Sequence, residues 1–99
     1  MTLDQFTETL RDASVPSGLS PGLRALWLDG RGDWDAAHDA AQEIENVTGA
    51  WVHAYLHRKE GDEGNAAYWY NRASKPVCRV TLDEEWRQIV SALLASASD

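Results

Sequence analysis

Apolar residues recur at helical spacing along most of the chain, and nowhere do they alternate in the two-residue period of a half-buried strand. Thr2 and Gln5 form a capping box, after which Leu3, Phe6, Leu10 and Ala13 fall on one face. Residues 15–19 read as a loop. Ser20 and Pro21 supply a cap and a first-turn proline for a second helix to about Asp29, with Leu23, Leu26 and Trp27 inward and Gly30 and Gly32 at its end. Asp33 caps an alanine-rich third helix, Trp34 to about Asn46. Thr48-Gly49 breaks the chain before a fourth helix, Ala50 to about Glu60, and Gly61-Asp62 leads into a fifth that reaches about Ser74 before Pro76. The last helix, about residues 81–96, has Thr81 and Glu84 as a capping box and an apolar stripe of Leu82, Trp86, Ile89, Val90 and Leu93. Its first-turn acids Asp83, Glu84 and Glu85 complement the helix dipole. The pattern predicts an all-α fold of five or six helices in one domain, residues 1–99.

Two stretches repeat. Gly32-Asp33-Trp34-Asp35-Ala36-Ala37 and Gly61-Asp62-Glu63-Gly64-Asn65-Ala66 both read Gly-Asp-x-x-x-Ala, at an offset of 29 residues. The same offset matches Leu23 with Val52, Ala25 with Ala54 and Leu26 with Tyr55, and the second unit continues to Tyr70 and Ala73. Over about residues 20–75 this resembles the tetratricopeptide repeat, whose period is about 34 residues. The period here is shorter, and Ala41 stands where that family has an aromatic. The resemblance implies antiparallel helix pairs capped by the flanking helices. It further implies a non-catalytic interaction module whose groove holds Trp34, Tyr55, Arg58, Tyr68 and Arg72, with a protein segment or a second copy of the chain as partner. A longer string, from Trp51-Val52-His53-Ala54-Tyr55-Leu56-His57-Arg58-Lys59-Glu60-Gly61-Asp62 to Asn65-Ala66-Ala67-Tyr68-Trp69-Tyr70-Asn71-Arg72-Ala73, is similar to a group of small bacterial proteins without an assigned activity. No residue role carries over from it.

Charge narrows the partners. The net charge is -7, which argues against nucleic acid and anionic membranes. The acids concentrate in residues 29–46 and the bases in residues 51–80, which reads as two solvated faces of opposite sign. One cysteine, Cys78, allows no internal disulfide and fits a reducing cytoplasm. The first residues carry no signal-peptide pattern, and no apolar run is long enough to span a membrane.

The candidate chemistry lies in three histidines. His53 and His57 are one helical turn apart, and Glu60 lies one turn further. If helices three and four turn back near residues 47 and 48, residues whose numbers sum to about 95 stand level, which pairs His38 with His57 and Gln42 with His53. Converging imidazoles could bind a divalent transition metal, the one cofactor the residues suggest, with Glu60 or Asp39 completing or orienting the shell. The same residues also fit a polar small-molecule pocket, or partly buried histidines satisfied by their neighbours. The residue after His53 is Ala54, so the His-Glu-x-x-His protease pattern is absent. No Gly-x-Ser-x-Gly elbow or phosphate loop occurs, and Cys78 beside Arg79 reads as a free structural thiol. Whether any reaction is catalysed stays open. Among the five tryptophans, Trp27, Trp69 and Trp86 are placed in the core together with Tyr70, Trp51 shares a face with Tyr55 as core or groove lining, and Trp34 opens a helix beside the acidic turn.

Overall fold

The computed structural model describes residues 1–97, so the last two residues of the expected domain lie outside the described residues. Six helices follow one another: α1 (Leu3–Thr9), α2 (Pro21–Gly30), α3 (Trp34–Gln42), α4 (Val47–Lys59), α5 (Glu63–Arg72) and α6 (Leu82–Ala97). No strand occurs among the described residues, and none of their helices is long and apolar enough to cross a membrane.

Local chemistry sets most of the boundaries. Both halves of the Thr2–Gln5 capping box are present. Ser20, Asp33, Asp62 and Thr81 each accept a backbone N–H three residues on. α1 stops before Ala13, which is exposed. Its last turn tightens into three-residue bonds from Leu10, Arg11 and Asp12, and the indole N–H of Trp27 donates to both the carbonyl and the hydroxyl of Thr9.

The 29-residue offset is reproduced bond for bond. At the end of α2, Asp33 N donates to Leu28 O and Gly32 N to Asp29 O; at the end of α4, Asp62 N donates to His57 O and Gly61 N to Arg58 O. Gly32 and Gly61 hold φ of 84° and 91°, a region that L side chains enter only with strain. Each is followed by an aspartate cap of nearly the same conformation. The result is two hairpins, α2–α3 and α4–α5, placed side by side through α3 and α4. α6 lies across α1, α2 and α4.

The break between α3 and α4 falls at residues 43–46, ahead of the expected Thr48-Gly49. Asn46 is the cap, its side chain accepting from Gly49 N, so Thr48 and Gly49 belong to the first turn of α4. Gly49 is small for another reason: a Cβ there would run into the carbonyl of Ile44, where the chain doubles back. Gly30 likewise is still helical, and only Gly32 turns the chain.

The main core gathers Phe6, Leu23, Leu26, Val52, Leu56, Ile89 and Val90, each almost fully buried. α4 is the central helix, buried on nearly every side. Two carboxylates fix its rotation. Asp29 accepts from Tyr55 OH at 2.7 Å and from Lys59 Nζ at 2.9 Å. Glu85 accepts from Arg58 Nη1 at 2.8 Å and from Tyr70 OH. Both acids are 2% exposed or less, and Glu85, which lies in the first turn of α6 as expected, is also an interior carboxylate with two donors.

Candidate functional site

With Tyr55 anchored to α2 and Arg58 to α6, the remaining long side of α4 presents His53 and His57 toward α3. The two imidazoles stack at 4.7 Å, one helical turn apart. From α3, the ring of His38 meets both edge-on, at 4.6 Å from His53 and 5.2 Å from His57. His38 therefore stands between the two rings rather than squarely opposite His57. His38 Nε2 and His53 Nε2 are 2.9 Å apart. One ligand nitrogen from each of the three histidines lies within 4.8 Å of the other two.

The surroundings hold these rings in place. Trp34 donates its indole N–H to Leu56 O at 2.8 Å, which ties the start of α3 to α4. Its ring stacks on His38 at 4.9 Å and meets His57 edge-on. His57 Nδ1 pairs with Glu60 Oε1 at 2.6 Å. With Nδ1 so engaged, Nε2 is the nitrogen of His57 left for another partner. Asp62 joins His57 and Glu60 in a second group of possible ligands, although its carboxylate already accepts from Asn65.

Electrostatically the cluster is a set of like groups. His53 and His57 are buried, His38 half-buried. Burial, and then the nearness of His38 and His57, lowers the pKa of His53 to about 4. It is therefore a neutral imidazole at pH 7, the form that ligates metals.

Beside the histidines, on the far face of His53, opens a cleft of about 590 Å³ between the α3–α4 turn and α5. Trp69 stacks on His53 at 4.1 Å, and Arg72 lies over Trp69 at 5.2 Å.

The residues singled out from the sequence thus part into three places. Trp34, His38, His53, His57 and Glu60 come together. Tyr68 and Arg72 meet each other on the outer side of α5, where Arg72 Nη1 donates to Tyr68 OH. Tyr55 and Arg58 do not share a groove with them. Tyr55 is sealed against Asp29, with burial and that carboxylate pushing its pKa up. Arg58 bonds to Glu85 and to the carbonyl of Val80. Tyr70 is likewise held protonated by burial and by Glu85. Burial also raises the Cys78 thiol above its ordinary value, in keeping with an unreactive cysteine.

Trp69, expected in the core, is instead half-buried and joins the histidines to the cleft. The height rule applied to α4 and α5, reflected about Gly61, pairs His53 with Trp69 and could have found it. No family model matches the chain, and no curated protein or solved structure matches it either.

Proposed function

We propose that this chain is a metal-binding helical domain, with His38, His53 and His57 as the ligands of one divalent transition ion. The observation that carries the reading is the convergence of three imidazole nitrogens, from two antiparallel helices, within 4.8 Å of one another. Imidazole suits zinc, copper and nickel and does not suit magnesium or calcium. Tetrahedral ligands about 2.0–2.1 Å from zinc stand roughly 3.3 Å apart, so the 2.9 Å between His38 Nε2 and His53 Nε2 needs only a small adjustment. Glu60 supplies what ligating histidines usually have, a carboxylate on the other ring nitrogen. Three protein ligands leave a fourth position, as catalytic zinc sites do. The proposal stops at binding.

The test is calorimetric titration of chelator-treated, untagged protein with zinc, nickel and manganese. The expected result is one equivalent of zinc or nickel bound, with manganese weaker, and about a hundredfold loss of affinity in His53→Gln and in His57→Gln. Unchanged affinity in both variants, or no binding tighter than about 0.1 mM, overturns the reading.

A second reading is favoured by Tyr68, which is 52% exposed beside Arg72. In it α5 docks a protein segment or another copy of the chain. It predicts a partner lost on Tyr68→Ala and indifferent to His57→Gln.

A further inference from the structure

The histidines do not account for the cleft on the other face of His53. Its floor is apolar, with Ala41, Ile44 and Ala50, and its rim carries Val47, which is 61% exposed. One wall is the Trp69 ring, and at its mouth stands Arg72. Two donors of that wall have no acidic or carbonyl partner among the described residues. Trp27, Trp34 and Trp86 spend their indole N–H on oxygens of the chain, whereas those of Trp69 and Trp51 meet none among the described residues. Arg72, like Arg11, Arg24, Arg31 and Arg79 and unlike Arg58 and Arg87, pairs with no carboxylate among the described residues, and of these it is the one that lines the cleft. Arg72 is held by stacking on Trp69 and Tyr68 and by one bond to a neutral hydroxyl, which leaves most of its five donors unspent.

We propose that this cleft binds a small organic monocarboxylate with a flat apolar body: the carboxylate on Arg72, the body against Trp69 and the alanine-rich floor. A guanidinium in a fixed stacked position matches the two oxygens of a carboxylate bidentately. The apolar floor excludes a bare inorganic anion as the best occupant. The acid Glu45 also lines the cleft, and together with the negative field of the whole chain it selects one charge over two. The volume exceeds what a single aromatic acid fills, so entry needs no rearrangement of α3 or α5. The inference does not depend on a metal at the histidines.

The test follows the Trp69 indole resonance in ¹H–¹⁵N spectra of the full chain with chelator present, assigned through Trp69→Phe. Benzoate, benzamide, acetate and inorganic phosphate are titrated in turn. Benzoate should shift the resonance saturably, with benzamide, acetate and phosphate each about tenfold weaker or more, and Arg72→Gln should weaken benzoate about tenfold. Arg72 is exposed, so this variant is expected to melt with the parent, and a matching melting curve is the control. No saturable shift by about 10 mM benzoate overturns the proposal, as does benzamide or phosphate equalling benzoate, or an unchanged Arg72→Gln. Histidine variants that keep their metal affinity unchanged while benzoate still binds would sink only the metal reading. The reverse outcome would sink only this one.

Discussion

Two sides of one helix treat buried polar groups in opposite ways. Toward α2 and α6, α4 sets Tyr55, Lys59 and Arg58 against Asp29 and Glu85, so that each buried anion meets a cation and a hydroxyl. Toward α3, the same helix sets two imidazoles against a third, and Glu60 reaches one of them from the rim. The first side is complete as it stands, and its purpose is to hold α4 at one rotation. The second side is a cluster of three imidazoles with no lysine or arginine bonded to them among the described residues. The first side locks one helix to its neighbours; the second is the one on which the proposed site rests.

The comparison can be broken first where it is strongest. Glu85→Ala leaves Arg58 charged and Tyr70 without its acceptor inside the fold, and should cost about 3–5 kcal/mol in urea unfolding. A loss below about 1 kcal/mol would mean that the clamp is not what orients α4.

The opposite side answers to pH. In metal-free protein the lowered pKa of His53 means that the unfolded chain takes up a proton near its ordinary value of 6.5 while the folded chain resists until about 4. Stability from this group is thus whole above pH 6.5 and drains away as pH falls toward 4, by about 3 kcal/mol in all. His53→Gln should flatten that stretch of the stability profile, and an unaltered profile would contradict the assignment.

The smallest effect sharpens the contrast. Glu60 is partly exposed, so Glu60→Gln should move metal-free stability by less than about 0.5 kcal/mol. It should nevertheless weaken zinc about tenfold, because His57 loses the carboxylate that fixes its ring. Equal changes in both measurements would reduce Glu60 to a surface partner.

How much of this was legible in the sequence follows the same division between local and distant. Caps such as Ser20, Asp33 and Asp62 act within three residues, and they were readable. So were the two Gly-Asp turns, whose offset survives down to individual hydrogen bonds. Gly49 misled because its smallness answers to the carbonyl of Ile44 rather than to a break in the helix. Helical rise set His38 near the height of His53 and His57, but the rotation of α3 and α4 that turns the three rings together is not contained in the rise. Nor were the settings of Tyr55 and Arg58 legible, since their partners Asp29 and Glu85 lie 26 and 27 residues away on other helices. Glu85 carried a faint signal: it sits one turn before Ile89, on the edge of the apolar stripe.

The stacking of Trp34 on His38 and of Trp69 on His53 has an optical consequence. Two of the five indoles lie against the cluster, while Trp27 and Trp86 are buried elsewhere in the core. A paramagnetic ion such as copper(II), seated among the imidazoles, quenches emission steeply with distance, so the light lost on binding should come chiefly from those two rings. Zinc at the same position carries no unpaired electron and should leave most of the intensity standing. If the proposed site takes an ion, the indoles are a built-in gauge of which one, readable without any label.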